Sequence, residues 1–338
     1  MPRFQDAIAQ AQSGRDLSAE QTADLIDQML SGQADDDRIG ELLLALREKG
    51  ESVSEIVGAA QAMRRHMTKI PHSHDRLLDT CGTGGSRSGT FNISTAVAIV
   101  TAACGVAVAK HGNRKATSVT GSADVLEELG VGIESDPDAV ARRLDDLGLC
   151  FCFAVKLHPA MKHVVGVRRK LGVKTLFNLL GPLCNPAAAT HQLLGTSERD
   201  TQDKIAQSIA LLGTTRSFVV HAGDGQDEVS LDGYTDAIEV QDNAICDRHR
   251  WTPADFGLLP AGVEALSASG PSESAAIIRR ILDGQPGPQR DTVVAGVAAA
   301  LLLTGAVDSL AVGVQEAQQA IDNGAAKSKL EQLATASG

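Results

Sequence analysis

Apolar positions recur with two different periods along the 338 residues, and the change of period divides the chain. Up to about residue 70 the period is helical. "SAEQTADLIDQML" opens on Ser18 with Gln21 three positions later, a capping box, and then sets Leu25, Ile26, Met29 and Leu30 on one face. "RIGELLLALREKG" follows and stops at Gly50, a natural helix C-terminus. "ESVSEIVGAAQAMRRHM" repeats the cap logic with Ser52 and Glu55, and "TKIPHSHDR" then breaks the pattern. From Leu77 onward short apolar runs alternate with helical stretches. "RLLDT", "VAVAK", "LCFCFA", "QLLGT", "SFVVHAG" and "TDAIEV" read as strands. "STAVAIVTAACG", "SADVLEELG", "DPDAVARRLDDLG" and "SERDTQDKIAQSIALLGT" read as helices between them. The end, from "SESAAIIRRILDG" to "KLEQLATAS", is helical again.

This alternation predicts an α/β fold: a small all-helical domain plus a larger α/β domain whose mainly parallel central sheet is flanked by helices. The expected division is a helical domain over 1–72, joined by helices from about 170–188, and an α/β domain over 73–338. A ligand cleft is expected between the two.

Composition narrows the function classes. Hydrophobic residues at 43% and charged residues at 22% suit an ordinary packed core. A net charge of -11 and aromatics at 3% argue against nucleic-acid binding, which needs Lys and Arg on phosphates and rings for stacking. The longest apolar run, Thr292 to Val307, lies between Asp291 and Asp308 and is short for a bilayer, so a buried core helix is expected and no membrane partner. "MPRFQDAIAQ" has no apolar signal-peptide core, and the 6 cysteines show no paired zinc spacing, so reduced thiols in a cytoplasmic protein are expected. Cys150 and Cys152 alternate in a strand and read as core, and Trp251 reads as packing.

The densest candidate chemistry is "DTCGTGGSRSGTFNIST", Asp79 to Thr95, between a predicted strand and a predicted helix. Gly82, Gly84 and Gly85 allow close backbone approach, hydroxyls from Thr83 to Thr95 can donate, and the helix start favours an anion. The dinucleotide and Walker patterns both fail: Arg87 stands where a third glycine would be, and no lysine follows the glycines. One strand later "VAKHGNRKATSVTGSADVLEELG" crowds Lys110, His111, Asn113 and Arg114 ahead of a helix, with Thr117, Ser118 and Ser122 beyond. Cations and hydroxyls at two successive strand ends point to a phosphorylated ligand.

"GTGG…TFNIST" with "KHGNR…GSADVLEELG" resembles the anthranilate phosphoribosyltransferase family. The resemblance continues through "HPAMKHVVGVRRKLGVKTLFNLLGPLCNP" and "DEVSLDG", and takes in "LLALREKGES" and "EIVGAAQAMR". It therefore spans nearly the whole chain. The resemblance implies transfer of a ribose 5-phosphate unit from 5-phosphoribosyl 1-diphosphate to the amine of anthranilate in tryptophan biosynthesis, with Mg2+, by a homodimer expected to pair through the N-terminal helices.

It implies donor contacts from Gly82, Gly85, Ser86, Thr90, Asn92, Ile93, Ser94 and Thr95. Further donor contacts fall on Lys110, His111, Gly112, Asn113, Arg114, Lys115, Ala116, Thr117, Ser118 and Ser122. Anthranilate falls to Gly82, Asn113 and Arg168, and the metal to Ser94, Asp227 and Glu228; the catalytic assignments are Lys110, Asn113 and Arg168. These residue types suit the chemistry. Mg2+ takes oxygen ligands, Lys110 can stabilise the departing diphosphate charge, and Arg168 can hold a carboxylate. The aryl amine is a neutral nucleophile, so no general base is assigned, with His111 the first candidate. Two residues depart from the family's usual pattern: Ser86 in place of an aspartate, expected to alter Mg2+ handling, and Lys174 in place of an arginine. Two other readings stand beside this one: a related transferase with another aromatic acceptor, and a non-catalytic relative that binds nucleic acid. Asp227 and Glu228, if on a strand, would point to opposite faces, and His158 caps, packs or contacts ligand at a helix start.

Overall fold

The computed structural model of the chain describes residues 4–84, 89–115 and 119–337. Four helices come first: α1 (Phe4–Gln12), α2 (Ala19–Leu30), α3 (Asp36–Lys49) and α4 (Val53–His66). Ser18–Gln21 and Ser52–Glu55 both form the reciprocal capping boxes that the sequence predicts. Glu55 reaches further than a cap. It is fully buried and also accepts from Leu17 N (2.9 Å) and Lys49 Nζ (3.0 Å), tying α3, α4 and the α1–α2 connection together. Glu55→Ala would leave two backbone N–H groups and a lysine without their acceptor. It should lower the unfolding free energy by about 3 kcal/mol or more, read from the urea midpoint at unchanged slope.

The α/β part then runs β1 (Leu78–Gly82), α5 (Ile93–Ala103), β2 (Val108–Gly112), α6 (Ser122–Glu128), α7 (Pro137–Leu147) and β3 (Leu149–Phe153). Short helices α8 (Ala154–Leu157), α9 (Val165–Leu171) and α10 (Phe177–Leu180) lead to β4 (His191–Gly195), α11 (Arg199–Leu212), β5 (Arg216–Ala222), β6 (Thr235–Gln241) and β7 (Ala244–Trp251). The chain closes with α12 (Pro271–Leu282), α13 (Pro288–Leu303), α14 (Leu310–Asp322) and α15 (Ala325–Thr335). Among the described residues the sheet has seven strands in the order β3-β2-β1-β4-β5-β6-β7, parallel as far as β5 and antiparallel beyond it.

On one face α5 and the C-terminal helices bury a single apolar cluster, with α13 running through it. The predicted core helix is thus α13, and among the described residues no helix is long and apolar enough to cross a membrane. On the other face α11, α9, α10 and the four N-terminal helices share a second cluster with β4, β5 and β6. Val167 of α9 and Phe177 and Leu180 of α10 enter that cluster, so the chain from 164 to 180 packs with the N-terminal helices.

The edge strand β7 is absent from the sequence reading. Every residue before Trp251 is exposed or half-exposed, and Asp247 to Arg250 are all polar, so apolar alternation does not mark it. The turn before it does carry a signal: Asp242 and Asn243 both take positive φ (48° and 68°), as a two-residue hairpin loop requires. Trp251 at its end packs edge-on against Phe218 and Phe256, and Cys150 and Cys152 are buried, as expected.

Candidate active site

β1 lies between β2 and β4, and the chain leaves β1 toward β2 and β3 before returning to the other side at β4. That reversal opens a crevice beyond the carboxyl ends of the strands, where open α/β sheets bind ligands. A cavity of about 700 Å³ occupies it. Gly82, Asn92, Ser94, Lys110, His111, Gly112, Asn113, Arg114 and Ser122 all line this one cavity, so residues from both predicted loops meet.

At one end Lys110 Nζ, nearly buried, donates to Thr80 O (2.6 Å) and Ser94 Oγ (3.2 Å). Burial pulls the Lys110 pKa down, against the pull of Asp79 and Glu228. Ser94 sits in the first turn of α5, and its N–H donates to Glu228 Oε1 (3.1 Å). Gly84 N donates to Asp227 Oδ2 (3.2 Å). Asp227 and Glu228 lie in the irregular segment between β5 and β6, so both can approach the glycine loop and α5, which a strand would forbid. The segment is folded on Asp224, whose carboxylate accepts from Gln226 N (2.9 Å) and Ser230 Oγ (2.7 Å). Burial, with the neighbouring Asp227 charge, pushes the Glu228 carboxyl up to about 8. A half-buried acid held off its ordinary pKa beside a second carboxylate and a serine hydroxyl is a set of hard oxygen donors short of positive charge.

The other end is different in kind. His111 Nδ1 donates to Gly181 O (3.0 Å), and its Nε2 faces His158 Nε2 at 3.2 Å. Burial, then His158 and Lys110, lower the His111 pKa to about 3, and burial lowers His158 to about 4. A group this weakly basic is a poor general base at neutral pH, so His111 loses its place as first candidate. His158 is packed on His111 in the wall; neither ring nitrogen of His111 is left over. Arg168, half-buried at the start of the last turn of α9, donates to Asn178 Oδ1 (3.3 Å) and lies over the Phe177 ring (5.5 Å). Asn178 and Phe177 themselves line the cavity. Among the described residues no carboxylate pairs with Arg168, and burial lowers its pKa.

Several predicted site residues stand elsewhere. Ile93 and Thr95 are buried within α5 and do not line the cavity. Thr90 forms an isolated β-bridge with Ser267. Arg114 faces the cavity but its guanidinium is bound by Glu127 (2.6 and 2.9 Å) and Asp124 (3.3 Å) of α6. Lys115 gives its N–H to Asp124 Oδ2 (2.8 Å). Gly85, Ser86, Ala116, Thr117 and Ser118 lie outside the described residues.

The sequence reading missed the far wall. Arg47 and Glu51 at the end of α3, and Ser197, Thr201 and Lys204 around the start of α11, line the same cavity. Lys174, noted only as a departure, also lines it and bridges to Glu198 (3.2 Å). None of these belongs to a spaced motif; only the packing of α3 and α11 over the crevice brings them in.

The chain matches the glycosyl transferase family, a/b domain, over residues 74–327, and the glycosyl transferase family, helical bundle domain, over residues 5–67. It is 68% identical over 331 residues to the anthranilate phosphoribosyltransferase of Rhodopirellula baltica, covering 98% of this chain and 96% of that one. The corresponding protein of Anaeromyxobacter dehalogenans is 46% identical, with 98% of each chain covered. The fold superposes with a TM-score of 0.92 on the crystal structure of the anthranilate phosphoribosyltransferase from Thermus thermophilus, 40% identical over 98% of this chain and 99% of that one. A TM-score of 0.91 relates it to the Saccharomyces cerevisiae enzyme, solved in complex with PRPP and Mg, at 27% identity over 98% and 97% of the two chains.

Proposed function

Because the chain belongs to the anthranilate phosphoribosyltransferase family, we propose that this crevice carries out the family's reaction: it transfers the 5-phosphoribosyl group of 5-phosphoribosyl 1-diphosphate to the amine of anthranilate, releasing diphosphate, in tryptophan biosynthesis. The observation that carries this reading is the polarity of one continuous cavity. A serine hydroxyl and a lysine line the β1–α5 end, and the Asp227 and Glu228 carboxylates stand behind it, bonded to the Gly84 and Ser94 N–H groups. Behind the opposite wall stands an arginine with no acidic partner among the described residues.

The donor's phosphates fit the β1–α5 end, against the glycine backbone and the Asn92–Ser94 turn. Lys110 faces the bond from ribose C1 to diphosphate and meets the negative charge that grows on the leaving group. Asp227, Glu228 and Ser94 fit Mg2+, since the raised Glu228 carboxyl is relieved by a divalent ion. When bound, the ion neutralises diphosphate oxygens and supplies Lewis acidity. Anthranilate fits the other end, its carboxylate toward Arg168 and its amine turned to the sugar by Asn113. With His111 lowered to about 3, the chain's contribution to the amine is position and desolvation rather than proton removal. The reading extends to the wider molecule: a helical domain over 1–72, a homodimer formed through its helices, and a cytoplasmic protein whose 6 cysteines stay reduced.

The test is the loss of anthranilate fluorescence in a mixture of protein, phosphoribosyl diphosphate and Mg2+. Absence of turnover in folded protein would defeat the reading. Arg168→Ala should raise the KM for anthranilate roughly ten- to a hundredfold while the KM for the donor moves little, because a charge-assisted bond to a carboxylate is lost. Equal anthranilate KM values for the variant and the parent would remove Arg168 from the acceptor site.

A further inference from the structure

The parallel ladder is complete on both sides of the β1–β2 pair but not within it. β1 pairs with β4 from Leu78 to Gly82, and β2 pairs with β3 from Val108 to Gly112. Between β1 and β2 the register is set at Leu78 and Val108, with Leu78 N donating to Ala107 O (2.9 Å), and goes no further. In a parallel ladder continued from that register, His111 N would donate to Thr80 O. Both groups instead take side chains: His111 N donates to Asp79 Oδ1 (3.1 Å), and Thr80 O accepts from Lys110 Nζ (2.6 Å). The two strands exchange a backbone bond for two side-chain bonds at the point where the cavity begins.

Asp79 is an expensive residue to keep there. It is fully buried, its Oδ2 has no hydrogen-bond partner among the described residues, and burial raises its pKa against the pull of Asn185, Lys110 and the His111 N–H. An apolar β-former at this place would avoid that penalty and leave the ladder free to close. Closing it would move the residues that face the ligand, since Lys110 and His111 line the cavity and Asp79 does not.

We infer that Asp79 is a positioning residue for the transfer reaction: by taking the His111 N–H from Thr80 it holds β1 and β2 apart and fixes where Lys110 Nζ and the His111 ring stand. The inference rests on the phosphoribosyl-transfer reading for its kinetic readout. Asp79→Ala removes the acceptor, while Asp79→Asn keeps an oxygen of the same reach. Asp79→Ala is expected to lower kcat at least about tenfold with both KM values changed less than about threefold, and Asp79→Asn to recover most of that loss. In a Lys110→Met background Asp79→Ala should add little further loss, because the two act through one position.

The inference is overturned by an unchanged kcat in Asp79→Ala, by losses that multiply in the double variant, or by Asp79→Asn falling as far as Asp79→Ala. Circular dichroism and the thermal midpoint identify folded samples. Where Asp79→Ala does not fold, Asp79→Ser, whose hydroxyl is too short to reach, takes its place in the same comparison. Absence of turnover in the parent protein would be a failure of the transfer reading, whereas an active parent with a normal Asp79→Ala kcat would be a failure of this inference.

Discussion

Gly195→Ala should cripple the transfer, with kcat/KM for both substrates down by roughly a hundredfold or more. Gly195 ends β4 beside Gly82, and a Cβ built on it would stand 1.7 Å from Asp227 O and 2.3 Å from Asp227 C. Those are backbone atoms, so no rotamer change relieves the contact. Either β4 or the Asp227–Glu228 segment must move by an ångström or more, and the segment is the part without a ladder. Moving it separates Asp227 from Gly84 N and Glu228 from Ser94 N, the two bonds that seat the carboxylates at the β1–α5 end. Gly82 shows the same closeness on the other strand, where a Cβ would meet Asp227 Oδ2 at 2.7 Å. That second contact is with a side chain, which can rotate, so Gly82→Ala should lose less than Gly195→Ala. Steady-state kinetics at saturating Mg2+ measures both, and near-normal turnover in Gly195→Ala would mean that the carboxylates need not hold these bonds.

The sheet and its flanking helices were legible because each β–α unit carries its own period and its own caps. Ser52–Glu55 and Asp136 with Pro137 announce helix starts that need no tertiary information. The site was legible in part for the same reason: the glycine loop and the Lys110–Arg114 cluster follow strands at the sheet end where ligands bind. What stayed hidden depends on contacts far apart in sequence. Lys204 and Glu51 face one cavity only because α11 and the end of α3 fold over it. Arg114 reads as a phosphate ligand from its motif, yet Glu127, thirteen residues on, occupies its guanidinium. Asp227 and Glu228 looked divided between two faces under strand geometry, and only the turn built on Asp224 brings both to the glycine loop. Asp79 is the sharpest case. A carboxylate at a strand position shows no period and no spacing, and its role depends on a ladder bond that is not made.

The charge at Glu228 gives the remaining large effect. Its carboxyl is raised from an ordinary 4.5 to about 8, first by burial and then by Asp227. Between those two values the folded protein holds a proton that the unfolded chain has released, so this group makes stability fall as pH rises through that window. With the proposed ligand set, Mg2+ would reverse the balance, because a carboxylate must lose its proton to become a ligand. The stabilisation given by Mg2+ should therefore grow as pH rises from about 6 to 8 and level off above it. Glu228→Gln keeps the shape and the acceptor for Ser94 N but carries no titrating charge. Its thermal midpoint without metal should vary less with pH across the same window, and its Mg2+-induced shift should be small and nearly independent of pH. Turnover at neutral pH should fall about a hundredfold, as expected for loss of an electrostatic ligand at a developing charge. Thermal melts of parent and variant, with and without Mg2+, read all of these but turnover. A pH-dependent Mg2+ shift that persists unchanged in Glu228→Gln would assign the titrating ligand to Asp227 instead.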